Sequence, residues 1–430
     1  MRRLLSGLIA AGVALALSAC QSKEPTNPAG ELPDVPSGTT NLAGAADPKL
    51  AGEPVDPRLV AGNTRFALNL FGRLARAEPA NNVFISPASV SIALAMTYNG
   101  ADGTTKDSMA SVLGLDGMSL DEVNRANLVL LSNLAYADPK VRLAIANSLW
   151  AKQGMPFYDD FLARNRESFG AEVRNLDFGD PNSVMVINDW VSNNTNDRIK
   201  NILDMIPDGA ILYLVNAIWF KGTWTEEFDK ADTRDRPFTL ASGAQKSVPM
   251  MSQDRRFAYH EEPGFQAVSL PYGSRRFSMY VFLPAGNSSL GSFVSTLTPE
   301  NWNRWMAAFD SSKGTVALPR FKIEYKTLLN DPLVALGMGV AFSMYQADFR
   351  KMLPVSPEAN AYISRVIHQS FVEVNEEGTE AAAATVVEIG VTSAPPQGFT
   401  MVVDRPFFVA IRDNVSGTIL FMGTINDPQP

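Results

Sequence analysis

The spacing of apolar positions predicts helices over the first half of the region beyond residue 60. Thr64 can cap a helix whose apolar residues recur every three or four positions. A second helix begins at Pro87, because proline is favoured at the first helical position, and it stops at Asn99. Residues 121–135 and 182–198 have the same helical periodicity.

Apolar runs of strand length dominate the second half. The longest, residues 211–220, is apolar at almost every position, which is typical of a central strand buried on both faces. Further strand patterns cover 141–147, 277–284, 316–325, 363–374, 407–412 and 419–424. The last two flank a polar turn at 413–417 and predict a hairpin. Since no linker-like break interrupts residues 61–430, we predict one large α+β domain there.

The first 20 residues have the layout of an export signal. Arg2 and Arg3 precede an apolar stretch, 4–17, that is shorter than the roughly 20 residues needed to span a bilayer. The stretch ends in Leu-Ser-Ala-Cys, which resembles a bacterial lipobox, so residues 1–20 are expected to be a lipoprotein signal peptide with Cys20 lipidated. A plain signal peptide with an incidental cysteine is the alternative.

Residues 21–60 differ in composition from the rest of the chain. They contain seven prolines, four glycines and no aromatic residue. Such a segment cannot bury enough apolar surface to offset its chain entropy. We therefore predict a disordered tether between the lipid and the folded domain.

Charge and residue counts exclude several classes of function. The 430 residues carry a net charge of −8, which argues against nucleic-acid binding. With one cysteine, Cys20, and two histidines, His260 and His368, the chain has no thiolate zinc cage or intramolecular disulfide. The common motifs of serine hydrolases, phosphate loops and zinc proteases are absent from the sequence. We predict no catalytic residue, metal site or cofactor.

A long connection, residues 376–405, joins two strand patterns. Every second residue from 379 to 389 is small or apolar, whereas Glu380 and Glu388 lie on the other face of an extended chain. No proline interrupts the segment before residue 395, and Gly378 provides a hinge. A surface loop with an alanine-rich helical start is the alternative. The strand pattern and the surface-loop alternative are compatible if the segment is an exposed loop in one state and a strand in another.

The start of this connection resembles the hinge of the reactive-centre loop of serpins. The hinge consists of Glu376, Glu377, Gly378, Thr379, Glu380, Ala381, Ala382, Ala383 and Ala384. Other segments resemble serpin motifs in the same order along the chain; they are 82–89, 214–224 followed by Phe228, Asp229 and Thr233, 270–272, 282–284, 318–321 and 404–408. Each segment alone is weakly specific, but the ordered set is highly specific.

The resemblance implies a serpin fold, an α+β single domain with a central, mostly antiparallel sheet, additional sheets, surrounding helices and an exposed reactive-centre loop at about 376–405. It implies a shutter cluster, where the central sheet opens, formed by Ser86, Ser89, Asn216 and His368. It also places Trp224 at the breach, where the loop first enters the sheet.

The scissile bond follows from counting along the loop. Counting from the hinge, as serpins space it, gives Thr392–Ser393, whereas counting back from Pro406 gives Pro395. The residues around the bond, Val391 to Ala394, are small and uncharged, which fits the pocket of an elastase- or subtilisin-like protease.

The resemblance implies a suicide inhibitor of serine proteases, with cysteine proteases as a second target class, that acts as a monomer. A non-inhibitory serpin that serves as a surface binding module is one alternative, and a lipoprotein hydrolase is a weaker one. The lipidated Cys20 would hold the protein on a membrane of the bacterial cell envelope. Gln21 at the next position favours the outer membrane, with the domain in the periplasm or at the cell surface.

Overall fold

The computed structural model describes residues 46–207, 209–354, 360–379 and 398–429. These residues belong to one unit, Gly38–Pro430. Cys20, the loop residues 380–397 and the predicted bait pair, Thr392 and Ser393, lie outside the described residues. Within the described ranges no helix has the length and apolar character needed to cross a bilayer.

Nine α-helices are found in the described part of the chain. They are α1 (Pro57–Ala77), α2 (Pro87–Tyr98), α3 (Gly103–Leu113), α4 (Leu120–Ala135), α5 (Asp159–Phe169), α6 (Asn182–Asn194), α7 (Leu290–Ser295), α8 (Pro299–Ala308) and α9 (Asn330–Leu333). Short helical turns follow α9 at Val334–Met338 and Gly339–Phe342, and another lies at Lys230–Asp232.

Fifteen β-strands accompany the helices in the described ranges. They are β1 (Val83–Ile85), β2 (Val141–Lys152), β3 (Glu172–Leu176), β4 (Leu212–Thr223), β5 (Arg234–Thr239), β6 (Gln245–Glu262), β7 (Phe265–Tyr272), β8 (Phe277–Pro284), β9 (Asp310–Pro319), β10 (Phe321–Leu328), β11 (Ile367–Asn375), β12 (Gly378–Thr379), β13 (Phe399–Val402), β14 (Phe407–Asp413) and β15 (Ile419–Ile425). The predicted α+β class is confirmed.

The strands form two sheets. The six-stranded sheet has the order β10-β11-β12-β4-β2-β3, and all its pairs are antiparallel except β2 with β3. We call it the central sheet. The second sheet has the order β1-β15-β14-β8-β7-β6-β9-β13, and β5 pairs with β6 beside this path. The predicted hairpin at the end of the chain is present as the antiparallel pair β14–β15.

The central sheet is covered on both faces, which explains the uninterrupted apolar run of β4. Its inner face packs on α2 and the main core, to which Ile218 and Phe220 of β4 belong. Its outer face packs against α6 in a second cluster that contains Tyr213 and Val215 of the same strand. Because successive residues of a strand point to opposite faces, both sets must be apolar.

The predicted tether extends too far at its C-terminal end. Helix α1 begins at Pro57, where the side chain of Asp56 accepts a hydrogen bond from the N–H of Arg58. Leu50 is buried, and the N–H of Gly52 donates to Asn133 of α4 at 2.8 Å. The prediction of disorder is therefore wrong for residues 46–60, and Thr64 lies inside the helix instead of capping it.

Other boundaries also differ from the sequence prediction, and the strand predicted over 363–374 begins only at Ile367. The run 316–325 is two strands in different sheets, because β9 ends at Pro319 and β10 begins at Phe321. The helix predicted over 182–198 ends at Asn194, since Asn196 and Asp197 have left-handed φ values of 51° and 60°.

Candidate functional site

The four predicted shutter residues lie together beneath the central sheet. Ser86 caps α2, and its backbone N–H donates to Nε2 of His368 at 3.0 Å. The Ser86 hydroxyl donates to the carbonyl of Leu420 at 2.7 Å and accepts from the N–H of Ser89 at 3.3 Å. The Ser89 hydroxyl donates to Oδ1 of Asn216. This cluster connects α2 to strands β4, β11 and β15.

Burial sets the protonation state of His368. The residue is 4% exposed, and burial lowers the pKa of its imidazole to about 4. The ring is therefore neutral near pH 7, and Nε2 can accept the hydrogen bond from Ser86. His368 therefore serves as a structural hydrogen-bond acceptor and not as a general base. His260, the other histidine, lies on β6 beside Glu262 and far along the chain from this cluster.

Trp224 follows β4 and lies directly under the point where β11 turns into β12. Its Nε1–H donates to the carbonyl of Asn375 at 2.9 Å, and its backbone N–H donates to the carbonyl of Glu377 at 2.9 Å. Its ring stacks on Tyr272 with centroids 4.3 Å apart and planes 13° apart. Trp224 thus holds both ends of the β11–β12 turn, one through its indole and the other through its backbone.

Two buried carboxylates form the first part of the hinge. Nε and Nη2 of Arg320 donate to Oε1 of Glu376 at 2.8 and 2.6 Å. The Thr233 hydroxyl donates to the same oxygen at 2.5 Å. Burial raises the pKa of Glu376, but the hydrogen bonds from Arg320 and Thr233 outweigh it and leave the pKa below its ordinary value. Lys230 pairs with Glu377 at 2.5 Å.

These partners were not identified from the sequence as site residues. Arg320 and Thr233 lie in segments that resemble serpin motifs, but a motif does not say which side chain faces the hinge. A signal existed for Arg320, because a cation next to a buried strand usually has a carboxylate partner.

Gly378 makes the approach of the hinge to β4 possible. Its φ is +149°, and a Cβ built there would lie 2.0 Å from the carbonyl oxygen of Gly222. A side chain at this position would push the turn away from β4. Glycine at 378 is therefore required for the hinge to pair with the sheet.

The hinge already contributes a short strand to the central sheet. In β12, Thr379 pairs with Gly222 on one side and with Val374 on the other. Its side chain is 1% exposed, and its hydroxyl forms a hydrogen bond with the Tyr272 hydroxyl at 2.7 Å. The residue assigned to the inner face by the alternating pattern thus points into the core.

Beyond β12 no described residue lies as a strand between β4 and β11, and we call this strand position the slot. Among the described residues β4 and β11 have no ladder with each other, so each has an edge without a strand partner below Thr379. A cavity of about 170 Å³ lies at the lower end of this slot. It is lined from one side by Leu212, Leu214 and Asn216, from the other by Ile363, Val366 and His368, and from behind by α2.

The fold and this site define an α+β protein whose candidate functional feature is a strand position that no described residue fills, with a hinge at its upper end. The described residues bring the shutter cluster, Trp224 and the first four hinge residues to this one sheet. The remaining hinge residues, Glu380 to Ala384, lie outside the described residues. No three histidine, cysteine or acidic side chains meet as metal ligands within the described part of the chain.

Comparisons with known proteins agree with this description. The sequence profile of the family described as serpin (serine protease inhibitor) matches residues 61–428. Human leukocyte elastase inhibitor is 36% identical over 384 residues, a match that covers 86% of this chain and 100% of the relative. Human glia-derived nexin is 34% identical, with 87% and 94% of the two chains covered. The crystal structure of tengpin, a thermophilic serpin, in its native state has 32% identity and a TM-score of 0.80, with 90% and 100% covered.

The chain belongs to the serpin family. It is a protease inhibitor and not an enzyme, and its targets are of the serine protease kind. The predicted serpin fold is confirmed.

Proposed function

We propose that this protein is a suicide inhibitor that traps an elastase- or subtilisin-like serine protease by inserting its cleaved loop into the slot. The observation that carries the proposal is the position of β12. Two residues of the hinge already pair with both β4 and β11, and the edges below them have no strand partner among the described residues. The slot between β4 and β11 is therefore the position into which we place the cleaved loop.

The register of β12 specifies what each further loop residue would meet. Thr379 pairs with Gly222 and Val374, and each step along the loop moves one residue down both neighbouring strands. Continued for six residues, the register brings Thr385 between Asn216 and His368. Its hydroxyl would thus join the polar shutter cluster, where a polar loop residue on the inner face finds hydrogen-bond partners.

The inner face of the inserting segment suits this path. Thr379, Ala381, Ala383 and Thr385 are small, so they add little volume to the packed core behind the sheet. A charged residue at one of these positions would have to be buried without a partner. From Thr379 to Val391, insertion at about 3.3 Å per residue would carry the loop end, with an attached protease, some 43 Å.

The covalent chemistry belongs to the protease. Its serine hydroxyl attacks the carbonyl carbon of the bait residue, the peptide C–N bond breaks, and the leaving amine takes up the proton. The acyl-enzyme then holds the protease on the N-terminal part of the loop. Insertion of that part pulls the protease away before water can release it, because displacement distorts its catalytic geometry.

The bait residues and one relative support the target class. Thr392 and its neighbours lack the basic or aromatic side chain that trypsin- and chymotrypsin-like pockets bind. A relative of this chain is named as an inhibitor of leukocyte elastase. Both observations favour a protease with a small primary pocket.

The proposed location is a bacterial cell envelope, with Cys20 lipidated and residues 21–45 linking it to the folded part. Expression with the signal segment, followed by membrane fractionation and mass measurement, tests this. The wild type is expected in the membrane fraction with added acyl mass, and Cys20→Ala in the soluble fraction. A soluble, unmodified wild type would contradict the proposal.

Incubation with elastase tests the inhibitory function. An SDS-resistant complex of inhibitor plus protease is expected with active elastase and is not expected with elastase whose catalytic serine has been replaced by alanine. If the loop is cleaved and no complex forms at any ratio, the protein is a substrate and the proposal is wrong.

A further inference from the structure

The phenol of Tyr213 is a buried polar group that the proposed function does not yet use. Tyr213 is 8% exposed, and its hydroxyl has no hydrogen-bond partner among the described residues. The ring is fixed on the outer side of the sheet by an edge contact with Phe178, at 5.7 Å between centroids. Buried hydroxyls are usually paired, so an unpaired one at the edge of a cavity indicates a missing ligand.

A guanidinium lies on the opposite side of the same cavity. Arg365 lines the cavity together with Tyr213 and has no acidic partner within the described residues. Burial raises the pKa of Tyr213, and the positive charge of Arg365 acts in the opposite direction. A hydroxyl donor and a guanidinium together favour a carboxylate, since both can donate to its oxygens.

The register of β12 identifies the carboxylate. Thr379 pairs with Gly222 and with Val374, so a residue nine positions further along the loop falls opposite Tyr213 on β4 and Arg365 below β11. That residue is Glu388. Glu388 would also lie on the same face of the sheet as Tyr213. Thr379 points inward, so an even-numbered loop residue in the same strand would point outward, as Tyr213 does.

We propose that Tyr213 and Arg365 form a carboxylate-binding site in the slot, and that its occupant is Glu388 of the cleaved, inserted loop. This inference rests on the proposed function. The site lies three residues below the level of the Asn216–His368 pair, so Glu388 reaches it only once Thr385 has reached its place between those two residues. It therefore stabilises the end of insertion, when the protease has travelled furthest, and not its start.

A double-mutant cycle on the loop-cleaved protein tests the site. Glu388→Gln, Arg365→Gln and the double variant are unfolded in guanidinium, before and after cleavage of the loop. Each single change should lower the midpoint of the cleaved form by roughly 0.2 M. The double variant should fall no further than either single variant, because both remove the same interaction. The intact forms of the Glu388 variant and the wild type should have the same midpoint.

Two further variants separate this site from a general effect of charge or fold. Arg142→Gln removes an exposed cation from β2, one strand away from the slot, and should shift intact and cleaved forms equally. Tyr213→Phe removes only the unpaired hydroxyl, so it should leave the intact form unchanged and lower the midpoint of the cleaved form.

The outcomes are distinguishable. Additive effects of Glu388→Gln and Arg365→Gln in the cleaved form would overturn the site while leaving insertion intact. Stabilisation of the intact wild type, but not of the Arg365 variant, by acetate against chloride at equal ionic strength would support the carboxylate site, whereas an unchanged midpoint of the cleaved form in Glu388→Gln would overturn Glu388 as its occupant. Equal midpoints for intact and cleaved wild type would reject insertion itself, and with it the proposed function.

Discussion

The backbone N–H of Ser86 donates to Nε2 of His368 across 3.0 Å, although 282 residues separate the two in the chain. The first residue caps the helix behind the central sheet, and the second lies on β11 beside the slot. The bond exists only while the imidazole is neutral, because a protonated Nε2 is a donor and would face another donor. The structure thus couples the protonation of one side chain to the packing of α2 against the sheet.

Stability should fall as the pH is lowered through the range set by His368. The pKa of its imidazole is about 4 in the folded protein, against an ordinary value of 6.5 for an exposed histidine. Because the unfolded chain binds the proton first, the contribution is complete above pH 6.5 and is lost progressively down to about pH 4. The full loss is on the order of 3 kcal/mol. Thermal unfolding of the intact protein at pH 7.5 and pH 5 measures the part of this loss that falls above pH 5.

The two histidines of the chain provide a matched comparison for this experiment. His368→Gln keeps a side-chain acceptor but no titration in this range, so the decrease in stability between pH 7.5 and 5 should become smaller. His260→Gln should keep the decrease of the wild type. If the His368 variant loses as much stability as the wild type, another group is responsible.

Replacement of Arg320 by glutamine should destabilise the intact protein by about 2–3 kcal/mol. It leaves the Glu376 carboxylate, which is 2% exposed, with Thr233 as its remaining side-chain donor. The expected loss of stability is smaller than for a fully buried ion pair, because the Arg320 side chain is 37% exposed. Arg125→Gln, which breaks a surface pair with Glu53, should cost less than about 1 kcal/mol. Equal losses of stability in the two variants would show that the Arg320–Glu376 pair contributes no more than a surface ion pair.

Thr379→Arg should convert the protein from inhibitor to substrate. The threonine side chain is buried against the Tyr272 hydroxyl, so an arginine there would be desolvated or would keep the hinge out of the sheet. The fraction of cleavage events that end in a complex should fall roughly tenfold, which corresponds to about 1.4 kcal/mol between the two outcomes. The measurement is the ratio of complex to cleaved inhibitor on SDS gels.

Glu380→Gln is the control for that variant, because it changes the net charge by the same amount at the next residue, which the alternating pattern assigns to the opposite face of an extended chain. It should leave the ratio near that of the wild type. An SDS-resistant complex with Thr379→Arg in wild-type yield would contradict insertion through β12.

Mass spectrometry of the peptide released from the complex locates the bait bond. Cleavage between Thr392 and Ser393 predicts a fragment that begins at Ser393, and Thr392→Arg should then speed the capture of trypsin by at least roughly tenfold. The wild type should capture elastase faster than trypsin. A fragment that begins after Pro395, or faster capture of trypsin by the wild type, would reject the assignment.

Patterns along the sequence predicted the parts of the fold that depend on neighbouring residues. The apolar run of β4 and the hairpin of β14 and β15 were predicted because burial on two faces and a turn leave local signals. The ion pair of Arg320 with Glu376 was not predicted, since 56 residues and two sheet strands lie between them. The unpaired hydroxyl of Tyr213 was not predicted either, because only the packing around it shows that it has no partner.

The start of the folded region was misplaced for a different reason. Residues 46–60 look like a linker by composition, but Leu50 and Leu59 are buried. The N–H of Asp47 also donates to Ser132 of α4 at 3.0 Å. Such docking depends on a partner helix some 80 residues away, which composition does not report. The motif resemblance supplied what local patterns could not, namely that Ser86, Asn216 and His368 meet.

Hydrogen–deuterium exchange of the central sheet tests most directly whether the cleaved loop enters the slot. The intact protein and a sample with its loop cut by a non-target protease are compared over peptides from β4 and β11, with complete cleavage verified by mass. Insertion predicts markedly slower exchange between Tyr213 and Lys221 and between Ile367 and Glu373 in the cleaved sample, because both edges gain a hydrogen-bonded strand. Unchanged exchange of both edges after complete cleavage would contradict the account.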